Sequence, residues 1–255
     1  MPIVRVQGQA KPITSILFDK DGTLLEFLML WGRWAEAVNG LMTEKITQMG
    51  GTILGGAAGL LGTIQDEQGR VIGYDKTGPL AMASEEETIG LLAWQLYMAG
   101  TPWNEAIRQI NEICRSAMHQ VRTSGEVQPM EGLRALLDKC KTLGIRLAVV
   151  TTDNTDNARQ HLQAMSIEHY FDSIVGRDRV SNGKPAPDMV KLACMELGTL
   201  PEEAAVIGDS NADMQMGKAA GAAITIGYGE GEEARAYLLE ADVLISSYLE
   251  LVLEP

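Results

Sequence analysis

From Pro129 to the end of the chain, short apolar runs alternate with stretches of helical periodicity. Ile145–Val150 (IRLAVV), Ser173–Val175 (SIV), Ala204–Gly208 (AAVIG), Ala222–Ile226 (AAITI) and Asp242–Ile245 (DVLI) are too short for helices, and several are rich in β-branched residues. Between them, Leu133, Leu136, Leu137, Cys140 and Leu143 recur at helical spacing, as do Met189, Leu192, Ala193 and Leu197. Alternating strand and helix units predict a parallel sheet with helices on both faces. One further buried strand is expected much earlier, at Ile13–Asp19 (ITSILFD). The stretch between, roughly Leu24 to Val127, has no convincing strand series and holds three helix-like segments. The expected organisation is α/β: a Rossmann-like parallel core formed by residues 1–23 and 128–255, with a mostly helical domain, 24–127, inserted after the first core strand.

Charge narrows the partners. The chain of 255 residues carries 34 Asp and Glu against 21 Lys and Arg, a net charge of -13. A surface this acidic argues against nucleic acid and against anionic membranes, whose binding draws on Lys and Arg. Hydrophobic residues at 45% and charged residues at 22% suit a folded globular chain rather than a disordered one. Three dispersed cysteines without a C-x-x-C pair suit a reducing compartment. The N-terminus lacks an apolar signal segment, and the longest apolar run, Ile53 to Ile64, is too short for a bilayer, so a cytoplasmic protein is expected. Any phosphorylated substrate would need positive charge concentrated at its site.

The chemistry-bearing residues stand at the ends of the expected strands. Asp19 and Asp21 follow the first, with Gly22 permitting a sharp turn that brings both carboxylates to one small volume. A bare D-x-D-G is more often a capped turn. An EF-hand is excluded, because with Asp19 as the first ligand the bidentate glutamate position falls on Leu30. Thr151 and Thr152 end the second run, Lys184 lies between Gly183 and Pro185, and Asp209 and Asp213 follow the AAVIG run. Singly, Thr151 reads as an N-cap, Lys184 as a solvated lysine and Asp209 as a helix cap. Together, an acid pair, a hydroxyl, a lysine and a second acid pair at successive strand ends are the equipment of magnesium-dependent phosphoryl transfer.

In these motifs the chain resembles the haloacid dehalogenase superfamily, and within it phosphatases of the phosphoglycolate phosphatase type whose cap is inserted after the first motif. Asp19-Lys20-Asp21-Gly22-Thr23-Leu24 resembles the first motif, Val149 to Asp153 the second, Gly183 to Asp188 the third and Gly208 to Asp213 the fourth. The resemblance implies a phosphatase acting on a small-molecule phosphate monoester. It implies Asp19 as nucleophile, Asp21 as general acid and base, Thr151 and Lys184 on the phosphoryl oxygens, and Mg2+ held by Asp19, the carbonyl of Asp21 and Asp209. Asp213 completes the metal shell or orients Lys184. Thr152 and Asp153 depart from the Asn common after the second-motif residue, which leaves open whether Thr152 also touches phosphate.

The remaining signals are weaker. The stretch Gly50 to Gly62 has six glycines in thirteen residues, but no Walker lysine follows, so a structural role is expected. Gly227 to Glu232 lacks the third glycine of a dinucleotide fingerprint. His119, His161 and His169 show no metal spacing and receive no function. Arg33, between Trp31 and Trp34, is a candidate substrate-specificity residue, with a snorkelling helix arginine as the alternative. The rival functions are a phosphomutase of the same superfamily and a catalytically silent binding protein. A dehalogenase is disfavoured because Asp21 would have no task, and a pump is excluded by the lack of membrane spans. Substrate identity and oligomeric state are not legible.

Overall fold

The computed structural model describes residues 1–124 and 127–255. In chain order its strands are β1 (Ile3–Val6), β2 (Gln9–Pro12), β3 (Ser15–Phe18), β4 (Thr63–Gln65), β5 (Val71–Tyr74), β6 (Arg146–Val150), β7 (Ser173–Val175), β8 (Ala204–Gly208), β9 (Ile224–Tyr228), β10 (Val243–Ile245) and β11 (Val252–Glu254). Six of them form one sheet in the order β10-β9-β8-β3-β6-β7, and every pairing is parallel. The fold is therefore α/β with a Rossmann-like parallel sheet. Every residue of β3 and β8 is buried, as expected of central strands covered by helices on both faces. Met189, Val190, Ala193, Cys194 and Leu197 of the helix Asp188–Leu197 pack on Leu17, Ala148, Val150 and Val206 of the sheet.

Two compact units result: Met1–Glu26 with Gln128–Pro255, and Phe27–Val127. The first unit holds the parallel sheet. Leu24 and Leu25 belong to it for a physical reason: both are fully buried, the Met130 N–H donates to the Leu24 carbonyl at 2.9 Å, and Leu25 bridges Asp21 on one side and Pro129 on the other. The outgoing chain is thus tied to the returning one.

The second unit is mostly helical. Trp34, Val38, Met42 and Ile46 line one face of the helix Arg33–Gln48, and Ala106, Ile110, Ala117 and Val121 one face of Trp103–Thr123, spacings that place each set on a single stripe. Ser84 and Glu87 form a reciprocal capping box at the start of Glu85–Met98. The glycine-rich stretch contributes only the short helix Gly56–Leu61.

Two small antiparallel sheets lie outside the expected organisation. β1 pairs with β2 and with the C-terminal β11, joining the two ends of the described chain. β4 pairs with β5 in the helical unit, where Asp66 closes the turn by accepting from the Gln68 and Arg70 N–H groups at 3.0 and 2.9 Å. Strands of three or four residues with mostly exposed or half-buried side chains carry too little apolar alternation to be read as strands. Among the described residues, no helix is long and apolar enough to cross a membrane.

Candidate active site

The order of the sheet places β3 at its topological switch point. The chain runs outward through β6 and β7 on one side of β3, then returns to the other side with β8, β9 and β10. Ligands of open parallel sheets bind in the crevice at the carboxyl ends of such strands. Asp19 is the first residue beyond β3, Thr151 the first beyond β6 and Asp209 the first beyond β8. The Asp19 N–H makes the last bond to β8, donating to the Ile207 carbonyl at 2.8 Å. Beyond it the backbone turns sharply, with Gly22 at φ 78°. A side chain at Gly22 would be strained there and would strike the Asp209 carboxylate, so glycine is what lets the two acid motifs approach.

Asp19, Asp209 and Asp213 each offer a carboxylate oxygen, and these oxygens all lie within 4.8 Å of one another. Lys184 is set among them. Its side chain is 4% exposed, and its ammonium lies 2.5 Å from Asp19 Oδ1 and 2.5 Å from Asp213 Oδ1. The other oxygen of Asp213 accepts from the Ser210 hydroxyl and N–H at 2.5 and 3.1 Å, closing a capping box at the start of the helix Asn211–Ala220. A Cβ at Gly208 would collide with Asp213, so this approach also requires glycine. The loop carrying Lys184 is braced on its own account. Asn182 donates through its N–H and its amide to Asp188, and Arg177 donates to the Val180 and Ser181 carbonyls.

Burial raises the Asp19 carboxyl from 3.8 to about 7; Lys184 opposes the rise, while Asp213 and Asp21 add to it. Burial alone would lower the Lys184 ammonium, but Asp19 and Asp213 outweigh it and hold the group above its ordinary value. The cluster therefore carries more negative charge than one lysine compensates, the electrostatic condition a divalent cation relieves. Hard carboxylate oxygens gathered in a small buried volume are a donor set that fits Mg2+.

Asp21 stands in a second, adjoining cluster. Its Oδ1 accepts from the Lys20 ammonium at 2.6 Å, and Lys20 is fully buried. The same ammonium lies 3.4 Å from Asp153 Oδ2 and 3.2 Å from His161 Nδ1. Burial raises the Asp153 carboxyl, with Lys20 opposing and Asp21 adding. The histidine left without a function on spacing alone is thus 1% exposed and part of a charged network. The signal that could have marked it is Lys20 itself, an ammonium two residues beyond a wholly buried strand, which requires buried partners.

The other candidates separate. Thr151 is fully buried, and its hydroxyl accepts from the Asp153 N–H at 3.2 Å. Thr152 is exposed, and Asp153 takes the inward position beside it. Arg33 begins a helix of the other unit and pairs with Glu36 at 3.1 Å, with 43% of its side chain exposed. Tyr248 clamps the first motif from the C-terminal side: its buried hydroxyl donates to the Thr23 carbonyl at 2.8 Å. Removing that donor in Tyr248→Phe leaves a buried carbonyl short of a partner and should cost about 1–2 kcal/mol, read as a lower urea midpoint. An unchanged midpoint would show that the clamp is idle.

A parallel sheet with two acid motifs, a threonine and a lysine gathered at its carboxyl edge defines a class, and the comparisons agree with it. Residues 68–226 match the haloacid dehalogenase-like hydrolases, and the chain belongs to that family. It is 37% identical over 112 residues to a phosphoglycolate phosphatase of Salmonella choleraesuis, a match covering 43% of this chain and 44% of that protein. It is 32% identical over 127 residues to the pyrophosphatase PpaX of Halalkalibacterium halodurans, covering 49% and 59%. The chain thus spans less than two thirds of the length of these curated relatives. Among solved structures, CbbY from Rhodobacter sphaeroides in complex with phosphate superposes with a TM-score of 0.65 and 26% identity, over 92% of this chain and 94% of that one.

Proposed function

We propose that this chain is a magnesium-dependent phosphatase that hydrolyses the phosphate monoester of a small molecule through an aspartyl-phosphate on Asp19. The observation that carries the reading is the buried Asp19 carboxylate at the switch point of the sheet, held by Lys184 at 2.5 Å within 4.8 Å of the other acids. A carboxylate of Asp19 attacks phosphorus, and the P–O bond to the leaving group breaks with its electron pair on the ester oxygen. Asp21 protonates that oxygen. It then takes a proton from water, which attacks the same phosphorus, releases inorganic phosphate and restores the Asp19 carboxylate. Lys184, together with the hydroxyl of Thr151, stabilises the transferring phosphoryl oxygens, and the lysine screens the approach of one anion to another.

Asp19, Asp209 and the carbonyl of Asp21 would hold Mg2+, which supplies charge neutralisation at the phosphoryl oxygens when bound. Asp213 is better used as the anchor of Lys184, because one of its oxygens meets the lysine and the other the helix cap. The inserted unit, Phe27–Val127, is proposed to act as a cap that selects the leaving group, with Arg33 as a candidate contact. Thr152, exposed, is a poorer phosphate ligand than Thr151.

The test is a phosphate-release screen of the purified chain against phosphoglycolate, sugar phosphates, nucleotides and inorganic pyrophosphate, with Mg2+ and with excess chelator. Release of phosphate from at least one ester, lost on chelation and restored by Mg2+, is the expected result. Full activity in chelator would remove the metal from the reading, and isomerisation of a sugar phosphate without phosphate release would make the protein a mutase.

A further inference from the structure

Hydrolysis by Asp19 and Asp21 does not by itself account for the buried Lys20, Asp153 and His161. Lys20 Nζ, which has three N–H donors and no acceptor, donates to Asp21 Oδ1 at 2.6 Å and lies 3.2 Å from His161 Nδ1 and 3.4 Å from Asp153 Oδ2. His161 Nδ1 also lies 3.5 Å from Asp153 Oδ2. The ring edge that carries Nδ1 therefore faces both the ammonium and the Asp153 carboxylate. Asp153, in turn, is 6% exposed and has the Asn154 N–H at 2.8 Å and the Asn157 amide at 3.3 Å on Oδ1, which ties it to the start of the helix Thr155–Ala164. The lysine is therefore held by residues other than Asp19, Lys184 and Asp213.

We propose that Lys20, held by Asp153 and His161, is a positioning residue for Asp21 that dictates which of its oxygens carries the transferred proton. A proton on Oδ1 would point one donor at another, so the acid form of Asp21 bears its proton on Oδ2. The carboxyl plane is fixed by the Lys20 bond, and proton delivery to the leaving oxygen needs no rotamer search. This inference rests on the acid role proposed for Asp21.

Leaving groups distinguish positioning from plain structural support. An alkyl phosphate expels a strongly basic alkoxide and needs the acid, whereas p-nitrophenyl phosphate expels a stable phenolate and barely does. The quantity to measure is kcat/KM, which covers only the steps up to the first irreversible one and so excludes hydrolysis of the aspartyl-phosphate. The proteins are wild type, Lys20→Met, Asp21→Asn and the double variant Lys20→Met/Asp153→Asn. The double variant leaves no charged Asp153 buried without Lys20, while Asp21, with 15% of its side chain exposed, keeps access to water; its fold is checked by an unchanged circular dichroism spectrum. In the double variant, kcat/KM for the best alkyl phosphate should fall about 10- to 100-fold and that for p-nitrophenyl phosphate less than about 3-fold, a weaker copy of the selectivity in Asp21→Asn.

Equal losses on both substrates, or no loss, in a folded double variant overturn the positioning role while selective loss in Asp21→Asn leaves the acid in place. If Asp21→Asn shows no leaving-group selectivity, or wild type turns over neither ester, the reading of Asp21 falls and takes this inference with it.

Discussion

Asp19→Asn is expected to abolish ester hydrolysis, lowering kcat by at least about 10⁴-fold, while the protein remains folded. The amide keeps the shape of the carboxylate but cannot form an acyl phosphate by attack on phosphorus. It also gives up one candidate metal ligand, so Mg2+ should raise the melting temperature of wild type more than that of the variant. Stability offers a second reading of the same substitution. Folded Asp19 holds its proton more tightly than the unfolded chain, with a value raised from 3.8 to about 7 by burial. Across that window the folded state binds the extra proton, so the stability of the metal-free protein falls as pH rises. Asp153 is raised by burial too and acts in the same direction. The amide has no proton to lose in this window, so in the variant the decline with pH should flatten without vanishing. Wild-type turnover in Asp19→Asn would sink the covalent route, and an unaltered pH slope would show that Asp19 is ionised without cost.

Much of this site is legible in the sequence because its residues interrupt strong patterns. Asp19, Thr151 and Asp209 each end a largely apolar run, and parallel topology turns that position into proximity at one edge of a sheet. Gly22 can be read as a turn residue and Gly208 as the end of a buried strand, but only the geometry shows that each makes room for a particular carboxylate. The second cluster is harder to see. Lys20, Asp153 and His161 are spread along the chain, and each has an ordinary surface reading until tertiary packing removes the water from all three. Spacing rules for histidine address metal ligation and miss a ring buried between a lysine and a carboxylate. The short strands at the two ends of the chain escape detection for the opposite reason, since their pairing depends on partners distant in sequence rather than on their own alternation.

Lys184→Met should be the most damaging change that leaves every carboxylate in place. Its ammonium lies within ion-pairing distance of both Asp19 and Asp213, at 2.5 Å from each. Without it, two buried carboxylates face one another, and the metal-free protein should lose about 3–5 kcal/mol of stability, the usual cost of stripping one partner from a buried ion pair. Activity should fall about 10²- to 10³-fold or more, since the lysine both screens the incoming phosphate and stabilises charge as phosphoryl transfer proceeds. Mg2+ can take over part of that screening, so its stabilising effect in a thermal shift assay should be larger in Lys184→Met than in wild type. Lys184→Arg separates charge from shape: it keeps the positive charge, but a planar guanidinium cannot replace a point ammonium wedged between two oxygens, so stability should recover further than turnover. Recovery of turnover to the wild-type rate in the arginine variant would mean that bulk positive charge suffices, and a melting temperature unmoved in Lys184→Met would mean that the two carboxylates already share a proton.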